Sequence, residues 1–292
     1  PQKIKPYLDD IKKYGQPPVE FVSQKLNQYD LLVFDDALHS AYDPFVFYRQ
    51  LLDYPAAAKK IGFIFLEVVQ TTDQPAIDSF LQASFPDSSL LIKMFRDDYS
   101  GMGWRYHTYL ELLTSVWKYN QHQPDSLKIK VIGVNPPIYW EALHTTEDYQ
   151  QFQNTLQSRD YSMYLEILTH LESFKSGKKG IFLTNTRHAY KGIRHQDGTL
   201  YWNTTTFFDQ WNPGKVYSIR FHHLSLSLQK KVSPSDSRST QSEGGIEYRW
   251  VKMDNGRWDE AFAASGNHPV AVPFGKTAFG RTPYIGNHML NL

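Results

Sequence analysis

The chain has no cysteine among its 292 residues, which excludes disulfides, thiol nucleophiles and thiolate metal ligands. That absence suits a periplasmic or other envelope location as well as a cytosolic one. The first residue is Pro1 and not Met, which leaves room for a removed signal peptide or tag, and the envelope is the favoured expectation. Long apolar runs are missing too: the best, 61–69, is interrupted by Glu67 and falls well short of the roughly 18 residues of a membrane span. Neither sign of charge is in excess. With 31 Lys and Arg against 30 Asp and Glu, composition gives no electrostatic ground for expecting nucleic acid or an anionic membrane as partner. Several motifs are also absent. There is no G-x-S-x-G and no H-E-x-x-H, Gly101-Met102-Gly103 lacks the third glycine of a dinucleotide loop, and Gly275-Lys276-Thr277 has Val270 where a phosphate loop needs its first glycine. The common serine hydrolase, zincin, dinucleotide and nucleoside-triphosphate signatures are thereby removed, though not the wider reaction classes.

Aromatics, at 15%, are plentiful, and Tyr and Trp line ligand clefts as well as cores. Eleven histidines leave room for a pH-dependent or metal site. The most informative stretch is 29–53. Leu31-Leu32-Val33-Phe34 is a short continuous apolar run of the kind a buried parallel strand shows; it stops at Asp35-Asp36, and His39 follows three residues later. Asp43-Pro44 reads as an N-cap and a proline at the first helical position, with Phe45, Phe47, Leu51 and Leu52 on the buried side. Open α/β sheets bind ligands outside the carboxyl ends of their strands, which is where Asp36 and His39 fall.

Further along, 61–69 reads as a second strand carrying Glu67 near its end, and Asp73-Gln74-Pro75 as the start of a helix running to about Phe85. The segment 103–120 has Tyr106, Tyr109, Leu110, Leu113, Val116 and Trp117 at helical spacing, with Arg105 and His107 off that stripe as solvated residues. A third strand, 127–134, ends at Asn135. A helix over 158–174 opens with Arg159-Asp160, and a fourth strand, 180–184, leads to His188. Strands alternating with helices of this length predict an α/β fold, a mainly parallel β-sheet flanked by helices. A fifth strand is expected at 216–222, its His222-His223 pair pointing to opposite faces. The expected organisation is an N-terminal extension over 1–28 with one short helix and a single α/β domain over 29–262. That domain carries a flexible Ser-rich loop at 229–245, and an irregular tail follows over 263–292. Residues 250–262 add a last strand or helix, and Asn203-Thr204-Thr205 matches a glycosylation sequon.

What carries chemistry is a constellation: Asp36 and His39 after the first strand, Glu67 on the second, Arg159 at a helix start and His188 after the fourth. A histidine with a carboxylate supplies a general base and its orienting partner, Arg159 can hold a carboxylate or a developing oxyanion, and His188 can serve as acid or second base. Equally, His39, Glu67 and His188 form a two-histidine, one-carboxylate candidate set for a divalent metal.

The order DDALHS, FLEVV, WKYN, VIGVNPP, RDYSMYLEIL, LTNTRHA resembles the erythromycin-esterase and ChaN-like haem-uptake superfamily. There a Gly-Glu-x-x-His or Gly-Glu-x-His motif follows the first strand, a Glu ends the second, Arg-Asp-x-x-Met opens a later helix, and a His follows the next strand. Here His39, Glu67, Arg159-Asp160, Met163 and His188 match one by one, while Asp35-Asp36 replaces Gly-Glu, so that Asp36 is one methylene shorter. The resemblance spans roughly 20–190 and the strand at 216–222. It implies an erythromycin-esterase-like hydrolase of an ester, lactone or related carbonyl substrate, with His39 deprotonating water, Glu67 or Asp36 orienting it, and Arg159 and His188 steadying the charge on the carbonyl. Two other readings stay open within it: a ChaN-like uptake protein holding haem or iron noncovalently through Tyr or His, and a metal-dependent hydrolase. The partner is accordingly a small-molecule substrate or haem.

Overall fold

The computed structural model describes residues 3–37, 39, 41–97, 106–195, 197–230, 246–275, 277–284 and 288–289. The readings made above at Arg105, at Gly101-Met102-Gly103, at Lys276 and over 231–245 lie outside these residues. The strands are β1 (Leu31–Asp35), β2 (Ile61–Gln70), β3 (Lys130–Asn135), β4 (Lys179–Thr184), β5 (Val216–Arg220), β6 (Ser225–Lys230), β7 (Ile246–Val251), β8 (Pro283–Tyr284) and β9 (His288–Met289). The helices are α1 (Lys5–Tyr14), α2 (Pro18–Gln28), α3 (Tyr42–Asp53), α4 (Pro55–Ala58), α5 (Gln74–Gln82), α6 (Ile92–Arg96), α7 (Tyr106–Gln121), α8 (Thr146–Thr155), α9 (Arg159–His170), α10 (Thr186–Ala189), α11 (Thr204–Trp211) and α12 (Arg257–Ala264). None of the described helices is long and apolar enough to cross a membrane.

The apolar runs seen in the sequence become one five-stranded sheet of order β3-β2-β4-β1-β5, every pairing parallel. A parallel sheet needs helical crossovers that cover both faces, which is why Leu31 to Phe34 and Ile64 to Leu66 are fully buried instead of alternating. Apolar residues stop and polar ones begin at the carboxyl ends, where Asp35, Gln70, Asn135 and Thr184 are all buried. Between Leu66 and Gln70 the register against β3 shifts: four steps along β2 oppose only the two from Gly133 to Asn135. Such a bulge re-aims side chains near a sheet's end. Gly133 lets it form, because a Cβ there would sit 2.8 Å from the carbonyl oxygens of both Val69 and Gln70.

The chain divides into two compact units, one comprising Val22–Ala189 and Trp202–Phe221 and the other Pro1–Phe21, Tyr190–Tyr201 and His222–Leu292. The first holds the sheet. In the second, Tyr7 of α1 donates to Asp254 (2.7 Å) and shares a hydrogen bond with Thr282 (3.0 Å), while its ring meets Phe279 edge-on at 4.9 Å.

Several local expectations are corrected. Two helices, not one, occupy 1–28, because Gly15 takes an extended conformation and Pro18 restarts the helix. The α3 helix begins at Tyr42 with Ala41 as its N-cap, so Asp43 lies inside the first turn, where a carboxylate favours the helix dipole. Strand β5 ends at Arg220, which puts His222 and His223 beyond the sheet. Gln229 and Lys230 belong to β6, paired antiparallel with β7, and 250–262 supplies both the end of β7 and the start of α12. Asn203 is fully buried and caps α11 by accepting from the Thr206 N–H (2.8 Å), so the sequon is a helix cap and not an accessible glycosylation site.

Candidate functional site

All five residues singled out in the sequence meet within the sheet-bearing unit, at the carboxyl ends of β1, β2 and β4 and the start of α9. After β1 the chain turns sharply: Ala37 and His39 adopt φ of 62° and 58°, left-handed values that cost a non-glycine residue about 1–2 kcal/mol each. Asp36 offsets that cost. One of its carboxylate oxygens accepts the His39 backbone N–H at 2.8 Å and the other meets His39 Nδ1 at 2.8 Å. The opposite ring nitrogen, Nε2, lies 3.2 Å from Glu67 Oε2. With a carboxylate facing each ring nitrogen, the surroundings favour the imidazolium form of His39. Burial acts against the charge, but Asp36 and then Glu67 outweigh it and push the His39 pKa up to about 10. A ring held between two carboxylates in this way is not placed to take a proton from water, which was the role expected of His39.

Glu67 stands at the centre, aimed there by the bulge in β2. Its Oε1 accepts from Arg159 Nη2 (2.7 Å), and its Oε2 accepts from the Thr184 hydroxyl (2.5 Å) and the Asn185 N–H (3.0 Å). Burying a lone carboxylate costs several kcal/mol, so this number of donors is what the position demands. Burial pushes the Glu67 carboxyl up, but the positive charges beside it, Arg159 and then His39, hold it well below the carboxylate range. Asp36 goes the other way, because its complete burial exceeds the help from His39.

Arg159 opens α9 and is tethered at two of its nitrogens, Nη2 to Glu67 and Nε to Asn135 Oδ1 at 2.6 Å. The third, Nη1, points at His188 Nε2 at 2.9 Å. A guanidinium only donates, so Nε2 is an acceptor and the His188 proton sits on Nδ1, which meets Asp160 Oδ1 at 2.7 Å. It follows that the 3.4 Å approach of Nε2 to Glu67 Oε1 is a contact without a shared proton. Asp160 also accepts from the Thr204 N–H (2.7 Å) and hydroxyl (2.8 Å); burial raises its pKa, and His188 and Thr204 reverse that and hold it low.

Access separates the groups. The Arg159 side chain is 13% exposed and His188 6%, against 4% for His39, 2% for Glu67 and none for Asp36. Arg159 is the most exposed of the five, and the other four are buried. Of the metal candidates, both ring nitrogens of His39 face carboxylates and His188 Nε2 faces Arg159. Among the described residues no group of three or more His, Cys, Asp or Glu side chains is placed to hold a metal ion.

The sequence reading missed three contributors. Asp160 entered only through its place in the Arg-Asp motif, and Thr184 passed as the last residue of a strand. Thr204 left no signal, because its partner lies 44 residues away. Asn135 had been marked as a polar strand end, and that signal was sufficient.

No family model matches the chain, and no curated protein matches it. Solved structures do. A protein from Bacillus cereus has a TM-score of 0.55 at 13% identity, covering 88% of this chain and 83% of that one. ChaN of Campylobacter jejuni, whose structure is described as showing cofacial haem binding, has a TM-score of 0.45 at 14% identity, covering 70% of this chain and 86% of ChaN. A chain from a structure of bacterial protein toxins has a TM-score of 0.41 at 12% identity and is covered over only 35% of its length, so this chain spans about a third of that toxin. At these identities the likeness is one of fold alone.

Proposed function

We propose that the chain is a hydrolase of an ester, lactone or related carbonyl substrate, distantly related to the erythromycin-esterase and ChaN-like superfamily. One observation carries the reading: His188, beside Arg159, has Nδ1–H fixed by Asp160 and an acceptor at Nε2, the arrangement of a general base with its orienting carboxylate. In the reaction a substrate carbonyl oxygen takes over Arg159 Nη1, while Nε and Nη2 keep the guanidinium anchored on Asn135 and Glu67. His188 Nε2, released from Arg159, accepts a proton from water; the hydroxide bonds to the carbonyl carbon, and Arg159 balances the oxyanion. Collapse of the tetrahedral intermediate breaks the bond to the leaving oxygen, which takes its proton from His188. Glu67 holds Arg159, and the His39 imidazolium with Asp36 keeps Glu67 ionised and in place.

Activated esters and lactones offered to wild type and to His188→Ala, Asp160→Asn and His39→Ala test this. Wild-type turnover above buffer is expected. The two changes at the His188 pair are expected to lower kcat about 100-fold or more, and His39→Ala to act through a displaced Glu67. Equal rates in wild type and His188→Ala would sink the mechanism.

A further inference from the structure

The opposite end of the same sheet carries a second feature. Where β2, β3 and β4 begin, a cleft of about 570 Å³ is lined by Lys59, Lys60, Lys128, Lys130, Lys178 and Lys179. One acidic residue, Asp125, shares the lining. The cleft thus holds six of the chain's 31 basic residues and one of its 30 acidic ones, which leaves 25 basic against 29 acidic everywhere else. A chain that is nearly neutral overall is therefore strongly positive at one concavity and net negative in the remainder.

Internal pairing accounts for part of this charge. Lys128 meets Asp125 at 2.8 Å, Lys179 meets Asp30 at 2.8 Å, and Lys60 donates to the Ser23 carbonyl oxygen at 3.1 Å. Lys178 reaches only 4.0 Å from Glu172 and lies 5.5 Å over the Phe63 ring. Lys59 and Lys130, both exposed, have no ion pair among the described residues. Like charges held this close repel, and a multivalent anion relieves that repulsion.

We propose that this cleft binds a compact small molecule bearing several phosphate groups. Its volume lies within the range of small-ligand sites, and a concavity of that size admits a compact anion where a flat bilayer cannot follow. The lining is lysine without arginine, which suits clustered phosphate charge more than planar bidentate recognition. Its one lining aromatic, Phe63, is buried and faces Lys178, so the cleft offers no row of exposed rings of the kind a strand-binding groove uses. The ligand site stands apart from the hydrolase reading and does not depend on it.

Inorganic tripolyphosphate is the probe, because it offers phosphate charge without base, sugar or lipid. Calorimetric titration of the full chain is expected to give saturable one-to-one binding that weakens as salt rises. The double variant Lys59→Gln with Lys130→Gln, both at exposed positions, is expected to keep its melting temperature and to bind about tenfold or more weakly. Lys12→Gln with Lys118→Gln, neither of which lines the cleft, is expected to bind as wild type does. Absence of saturable binding, or equal weakening in the two double variants, would overturn the proposal. So would binding to phosphatidylserine vesicles or single-stranded oligonucleotide without binding of tripolyphosphate.

Discussion

His39 shows how one side chain's role is set by what flanks it. An imidazole beside a single carboxylate can serve as a base; between two, at 2.8 Å from Asp36 and 3.2 Å from Glu67, it holds its proton. The ring is expected to remain charged in an NMR titration from pH 6 through 8, with the resonance identified by its loss in His39→Gln. Asp36→Asn keeps an acceptor for the backbone N–H but removes the larger of the two attractions, so it should bring the titration down toward 6.5; a wild-type ring that titrates near 6.5 would contradict the assignment. Spacing along the sequence placed Asp36 and His39 beside each other without revealing the second carboxylate on the far ring nitrogen. That contact depends on where β2 lies in the sheet, and no local pattern reports it.

At the scale of the element, the bulge in β2 connects fold to site. Glu67 leaves the regular pleat because Leu66 to Gln70 runs longer than its partner on β3, and Gly133 allows the close backbone approach. Gly133→Ala forces a methyl group against two carbonyl oxygens that cannot move without breaking the sheet. The change is expected to cost about 1–3 kcal/mol, read as a lower urea midpoint, and to reduce hydrolysis because Glu67 shifts with the strand. An unchanged midpoint would mean the bulge relaxes freely. The strands read from 31–34, 61–69 and 180–184 were legible because a buried parallel strand is apolar throughout, whereas the third starts at Lys130 and not at 127, since Leu127 closes a short 3-10 turn. Helix α11 was not, since Thr204, Thr205 and Thr206 are poor helix formers held in place by an Asn203 cap, by Asp160 and by the His188 carbonyl. Gly133 was a signal left unused: a glycine inside an apolar strand marks a bulge or a close approach.

Across the whole molecule the site's charges set how stability depends on pH. Glu67, Asp160 and Asp30 are held below their ordinary range, so what they contribute is present above about pH 4–5 and lost as pH falls. His39 has the opposite sign. Its folded pKa of about 10 exceeds the ordinary 6.5, so its contribution is complete below about pH 6.5 and drains away as pH climbs to about 10. Asp36, also raised, has the same sign, with its loss beginning just above the ordinary carboxylate value of about 4. Urea midpoints are therefore expected to be highest near pH 5–6.5 and to decline through pH 9.5. The drop amounts to a few kcal/mol, taken at about 1.4 kcal/mol per pH unit of displacement. In Asp36→Asn the alkaline decline should flatten, since the group that holds the His39 proton most strongly is gone. A wild-type curve that stays level from pH 6.5 to 9.5 would show that the imidazolium does not stabilise the fold, and with it the division of labour between His39 and His188 would fall.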